Sequence, residues 1–269
     1  MVEVYVDTNV LRYFGTAFAN TSLAVDLQAQ LVLAPLALLE LLSQLGTAGA
    51  EEAFMAVRSL RRFDFEMLPW PDDFFRMSFF GLPPRGEKPD LNNAVVNVLN
   101  AAKADDLRDE GKEMRLLYDD CKNEAADIFS ALLDSCRSKG LVPEEEHRAI
   151  FARSIARRAG FDEARVDVDF VVESLNAYYI FENHRMQEGA RNLEYNIVRR
   201  SNDVYDAELL IYLAHPGLRL LTADKGFRRA EKSSQANRIH IVADVACLKD
   251  SECATETIRS IVAAAGAMA

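Results

Sequence analysis

Asp7, Glu40, Asp203, Asp206 and Asp224 are the residues whose types and settings could do chemistry. Asp7 closes the apolar run VEVYV at 2–6 and Asp224 closes LRLLTA, so each stands where a strand hands over to a loop. Asp203 and Asp206 are three apart at the start of a helix-forming stretch and project from one face. Glu40 interrupts the apolar helix LALLELLSQL, where a carboxylate facing the core is disfavoured unless it is paired or holds a metal. Carboxylates gathered in one place repel, and at ~5 Å with an effective dielectric of ~20 each pair costs roughly 3 kcal/mol. Such a cluster calls for cations, and Mg²⁺ or Mn²⁺, hard ions that prefer oxygen ligands, suit it. Two such ions about 3.5–4 Å apart can activate a water and stabilise the leaving oxygen in phosphodiester hydrolysis. No histidine base is required, in keeping with four histidines (His147, His184, His215 and His240) that form no cluster.

Each acid also has a plainer reading. Asp7 alone reads as a turn residue or helix cap. Asp203 divides between a first-turn residue favoured by the helix dipole and a metal ligand. Glu40 has room on the solvent edge of its helix, because Leu38, Leu41, Leu42 and Leu45 already define a buried face. It is the combination that points to a site.

The elements that must position these residues lie at the two ends of the chain. The pattern predicts a strand at 2–6, a helix near 22–29, a strand at 31–34, and a helix opened by Pro35 and closed by Gly46. At the other end it predicts a helix DVYDAELLIYLAH capped by Ser201 or Asn202, then strands LRLLTA and RIHIVA at 238–243. Ligands of open parallel sheets bind beyond the carboxyl ends of the strands, the rim shared by Asp7 and Asp224. Residues 67–197 carry long helix-period stretches without strand signals, including a face of Leu116, Leu117, Cys121, Ile128, Leu132 and Leu133, a helix opened by Pro143 and another at 164–188. Phe74, Phe75, Phe79 and Phe80 are expected to pack this block onto the core. The fold class expected is therefore α/β, a doubly wound and mainly parallel sheet built from both termini. Its first part is 1–66, an all-helical insertion occupies 67–197, the second part is 198–269, and the termini lie close together.

Composition narrows the partners. The chain has 269 residues, 49% of them hydrophobic, enough to bury a sizeable core. A net charge of -11 provides no global field for nucleic acid, so any such contact needs local basic patches. Arg148, Arg153, Arg157 and Arg158 share one helix and read first as a solvated face partnered by Glu144 to Glu146. Arg199 and Arg200, just before the Asp203 and Asp206 stretch, are better placed to meet a phosphate backbone. Cys121, Cys136, Cys247 and Cys253 show no zinc spacing and are too few for a disulfide scaffold, so they are expected as reduced thiols of a cytoplasmic protein. Neither a signal peptide nor a membrane span is expected.

VDTN at 6–9, the helical Glu40, NDVYDAELL at 202–210 and TADKGF at 222–227 resemble the four acidic motifs of PIN-domain ribonucleases. The resemblance covers about the first 45 residues and 201–243. It implies a doubly wound sheet, Mg²⁺ or Mn²⁺ as cofactor and RNA as substrate. By motif it implies Asp7, Glu40, Asp206 and Asp224 as the acidic set, with Asp203 a further ligand and Asn9 or Thr222 holding carboxylates in place. It also suggests a homodimer through an edge or helix of the core. Small PIN proteins, including the toxins of toxin–antitoxin pairs, resemble only the core and lack so large a helical block.

The expected activity is thus metal-dependent hydrolysis of RNA by an activated water. The alternative is a catalytically weak PIN-like scaffold whose helical insertion recruits a protein partner. A phosphohydrolase with an aspartyl nucleophile ranks last, because its DxD signature would need an acid where Asn9 stands.

Overall fold

The computed structural model describes residues 2–21, 27, 30–60, 66–86, 91–140, 143–192, 194–195 and 202–266, without the side chains of 124–128, 130–132, 135, 139, 202–204 and 266. The chain opens with β1 (Glu3–Val6), whose Val4, Tyr5 and Val6 are wholly buried, as a strand covered on both faces requires. Asp7 ends it by capping α1 (Thr8–Ala17), its side chain accepting from the Val10 N–H at 2.8 Å. Then come β2 (Leu31–Leu33) and α2 (Pro35–Leu42), with Pro35 in the first helical turn. A 3-10 turn, Ser43–Gly46, leads to α3 (Ala50–Ser59) and to β3 (Glu66–Met67). The expected helix at 22–29 falls almost entirely outside the described residues.

Five strands form one all-parallel sheet in the order β3-β2-β1-β4-β5, where β4 is Leu218–Thr222 and β5 is Ile239–Ile241. The order reverses at β1, which pairs with β2 on one side and with β4, from the far end of the chain, on the other. The sheet is therefore built from both ends, as expected, and α11 (Ser251–Gly266) packs on β1 and α1. The boundary expected at 66/67 cuts through β3, a two-residue edge strand whose signal is too short to read.

Helices fill the interval: α4 (Pro71–Phe80), α5 (Leu91–Asn100), α6 (Arg108–Lys139), α7 (Glu144–Ala159), α8 (Val168–Ser174), α9 (Asn176–Arg191) and α10 (Asn202–Leu209). They share one buried cluster with the sheet, in which Phe75, Val98, Ile155 and Phe181 join Val4, Leu33 and Leu220. Phe74 reaches Tyr212, ring centroids 5.2 Å apart, while Phe79 and Phe80 are half-buried against the core, Phe80 stacked on Phe161 at 4.4 Å.

Three expectations are corrected. The helix foreseen over 164–188 is broken at Leu175, where the side chain of Gln235 takes over the freed backbone groups. Its Oε1 accepts from the Ala177 N–H at 2.9 Å and its Nε2 donates to the Ser174 carbonyl at 2.6 Å. Leu116, assigned to the buried face of α6, is 66% exposed, because the face that docks runs through Gly111, Met114, Tyr118 and Cys121. Cys247 and Cys253, expected as free thiols, are joined, their Cα atoms 5.3 Å apart. The Asp250 carboxylate accepts from the Glu252 and Cys253 N–H groups at 3.1 and 2.9 Å, and this cap folds the start of α11 back over the Cys247–Lys249 turn. Cys121 and Cys136 are packed thiols, as read from the sequence. Among the described residues no helix is long and apolar enough to cross a membrane.

Candidate active site

The reversal of strand order at β1 opens a crevice beyond the carboxyl ends of β1 and β4. There lies a cavity of about 60 Å³ lined by Asp7, Thr8, Asn9, Leu36, Ala37, Glu40, Tyr205, Asp206, Leu209 and Asp224. Asp7, Glu40, Asp206 and Asp224, drawn from four separate segments, thus share one small space. Val6 pairs with Leu221 in register, so Asp7, which follows β1, and Thr222, the last residue of β4, are neighbours.

The wall is held by hydroxyls. Thr222, fully buried, donates to Asp7 Oδ2 and accepts from the Asp224 N–H at 2.9 Å. Thr8 donates to Glu40 Oε2 at 2.6 Å, which explains how a carboxylate survives in an apolar helix. The sequence pointed to Thr222 and missed Thr8; the signal was its place directly after a strand-ending aspartate. Asn9 lines the cavity, and its amide oxygen accepts from Arg12 at 3.1 Å. Tyr205 was also missed, because a tyrosine in a helix next to a leucine run reads as core. It is buried and donates to the Tyr118 carbonyl at 3.1 Å.

Asp7 carries the electrostatic tension of the site. Burial pushes its carboxyl up to about 6, and the charge of Asp224 adds to the rise against the pull of Thr222 and of the Val10 and Ala223 N–H groups. Asp7 and Asp224 both serve as caps, Asp224 accepting from the Gly226 N–H at 2.6 Å. The plain reading of each is therefore realised together with its place in the cavity. The backbone of Asp203 belongs to α10, while its side chain, like all of Arg199 and Arg200, lies outside the described residues.

Oxygen donors predominate in this lining, the chemistry Mg²⁺ or Mn²⁺ prefers. A buried carboxylate pressed towards its neutral form is a donor that gains from a neighbouring cation. Among the described residues, no three Asp, Glu, His or Cys side chains already converge as ligands of one ion. The donors thus match the ion in kind and line a common space without being drawn together.

Three of the arginines of α7 are engaged elsewhere. Arg148 pairs with Asp169 at 2.7 Å and Arg157 with Glu163 at 2.7 Å, rather than with Glu144 to Glu146. Arg158 points inward, binding both oxygens of Glu208 at 2.6 and 2.8 Å and Asp72 at 2.8 Å, over the ring of Phe75. The chain matches no protein-family model, no curated protein and no solved structure.

Proposed function

We propose that the chain is a nuclease with a PIN-like, doubly wound core that hydrolyses RNA phosphodiester bonds at the carboxylate cavity. The observation that carries this reading is the meeting of Asp7, Glu40, Asp206 and Asp224 at the point where the strand order reverses. Asp7, Glu40, Asp206 and Asp224 would hold Mg²⁺ or Mn²⁺, with Asp203 a candidate for the same role. When bound, the ion supplies Lewis acidity and activation of a water at neutral pH. The chain's own residues do the positioning. Thr222 orients Asp7 and the backbone of Asp224 together, and Thr8 fixes Glu40. Leu36, Ala37 and Leu209 exclude bulk water from one side of the cavity.

The test is Mn²⁺-dependent cleavage of a mixed pool of single-stranded and structured RNA, comparing the wild type with a folded Asp7→Asn plus Asp224→Asn variant. Removing two such charges is expected to slow cleavage by more than about 100-fold. Equal cleavage by the two proteins, or none by either, would falsify the reading.

A further inference from the structure

The long helix α6 is locked beside the acidic cavity by a backbone contact. A Cβ on Gly111 would stand 2.6 Å from the Leu45 carbonyl carbon, so only glycine lets the helix lie this close to the turn that ends α2, the helix of Glu40. About one, two and three helical turns further on, α6 presents Arg115, Tyr118 and Lys122, a spacing that stacks the three on one face. The ring of Tyr118 is buried, 4.7 Å from that of Tyr205, which lines the cavity. The Arg115 guanidinium stands 5.5 Å and the Lys122 ammonium 5.2 Å from the centre of the Tyr118 ring.

Around this ring the charges have a definite order. Asp119 holds Arg115 through Nε at 2.8 Å, an arrangement that fixes the guanidinium, whose two terminal amines can also donate. Burial pushes the Tyr118 hydroxyl up, and the charges of Glu40 and Asp206 push it further, so the acids of the cavity and the cations of α6 act on the same ring. The hydrogen bond to Asp119, helped by Glu40, holds the proton of Arg115 firmly, whereas burial pulls Lys122 down against the opposing pull of Glu40. A chain of net charge -11 repels a polyanion overall, and here two cations stand beside the ring on which the carboxylates also act.

We infer that Arg115 and Lys122, carried beside the Tyr118 ring by the docked helix α6, form a clamp for a nucleic-acid backbone phosphate next to the one cleaved in the cavity. This rests on the nuclease reading and gives the helical block a part in it. The two are positioning residues: they hold the strand in register and take no part in bond breaking. An exposed arginine remote from this face, Arg259, serves as the control for simple loss of charge.

The experiment measures binding of a short fluorescent single-stranded RNA to the full-length chain, between about 50 and 200 mM salt in EDTA, together with steady-state cleavage in Mn²⁺. For Lys122→Gln and for Arg115→Gln the slope of log affinity against log salt is expected to fall by about 0.7, one phosphate contact each, and KM to rise several-fold with kcat unchanged. Arg259→Gln should leave both at wild-type values, and Lys122→Arg should restore them. Unchanged slopes and KM in both clamp variants, with a cleaving wild type, overturn the clamp and leave the nuclease standing. A wild type that neither cleaves nor binds RNA overturns both.

Discussion

Two acidic constellations in this molecule are served by the same helix and differ in one respect. Asp206 and Glu208 are two residues apart on α10, so they leave it in different directions. Glu208 accepts from Arg158 and from the Tyr178 hydroxyl, and Arg158 also donates to Asp72, a network in which the protein itself supplies the cation. Burial pulls the Arg158 guanidinium down, yet Glu208 and Asp72 outweigh it and hold its proton firmly. Asp206 lines the cavity with Asp7, Glu40 and Asp224, where the strongest supports for the carboxylates are hydroxyls and backbone N–H groups. The first arrangement is complete and structural. In the second, the described hydrogen bonds hold the geometry through neutral groups, and under the proposed function an external cation meets its charge.

Breaking the complete network gives the largest effect on stability. Glu208→Ala strands Arg158 between burial and Asp72, and the expected cost is about 3 to 4 kcal/mol by urea denaturation. A loss below 1 kcal/mol would mean that the network behaves like a surface ion pair.

The cavity should respond with the opposite sign. Asp7 titrates near 6 in the folded chain against an ordinary 3.8, so the folded state binds the extra proton between those values and stability falls as pH rises through them. Above that window, in EDTA, the ionised Asp7 costs about 3 kcal/mol. Asp7→Asn removes the charge and keeps weaker hydrogen bonds, so it is expected to be more stable than the wild type by roughly 2 kcal/mol at pH 7.5. The advantage should vanish towards pH 4. A variant less stable than the wild type at pH 7.5 would show that Asp7 is balanced as fully as Glu208.

The smallest effect sharpens the contrast. Thr8→Val leaves every proposed ligand in place and removes only the hydroxyl that holds Glu40. The Mn²⁺ concentration needed to raise the melting temperature is expected to increase about tenfold. Identical Mn²⁺ curves would place Glu40 outside the ion site.

The parts of this site that were legible in the sequence are those whose signal is local. Asp7 and Asp224 end apolar runs, and Glu40 stands out against leucines, so their meeting could be foreseen from the alternation of strand and helix. What escaped depends on partners distant in the chain. The break at Leu175 exists because Gln235 receives its open backbone groups, and nothing near Leu175 announces it. Arg158 is held by Asp72 and Glu208, both distant in the chain, although its neighbour Arg157 stays exposed. The bridge between Cys247 and Cys253 follows from a cap at Asp250, not from a recognisable spacing. Leu116 was misplaced because the docking face of α6 is set by Gly111, a residue that carries no hydrophobic signal at all.

The pairing of β1 with β4 also dictates when the site can come into being. A ribosome makes the stretch between β3 and β4, about 150 residues, in roughly 10 to 30 s, and through that time β1 has an open edge on the side where β4 will lie. Asp7 then lacks Thr222, and the cavity lacks the walls contributed by Asp206 and Asp224. A nascent chain carries Asp7 long before Asp224, so the acidic centre stays incomplete until β4 and the residues after it have been made.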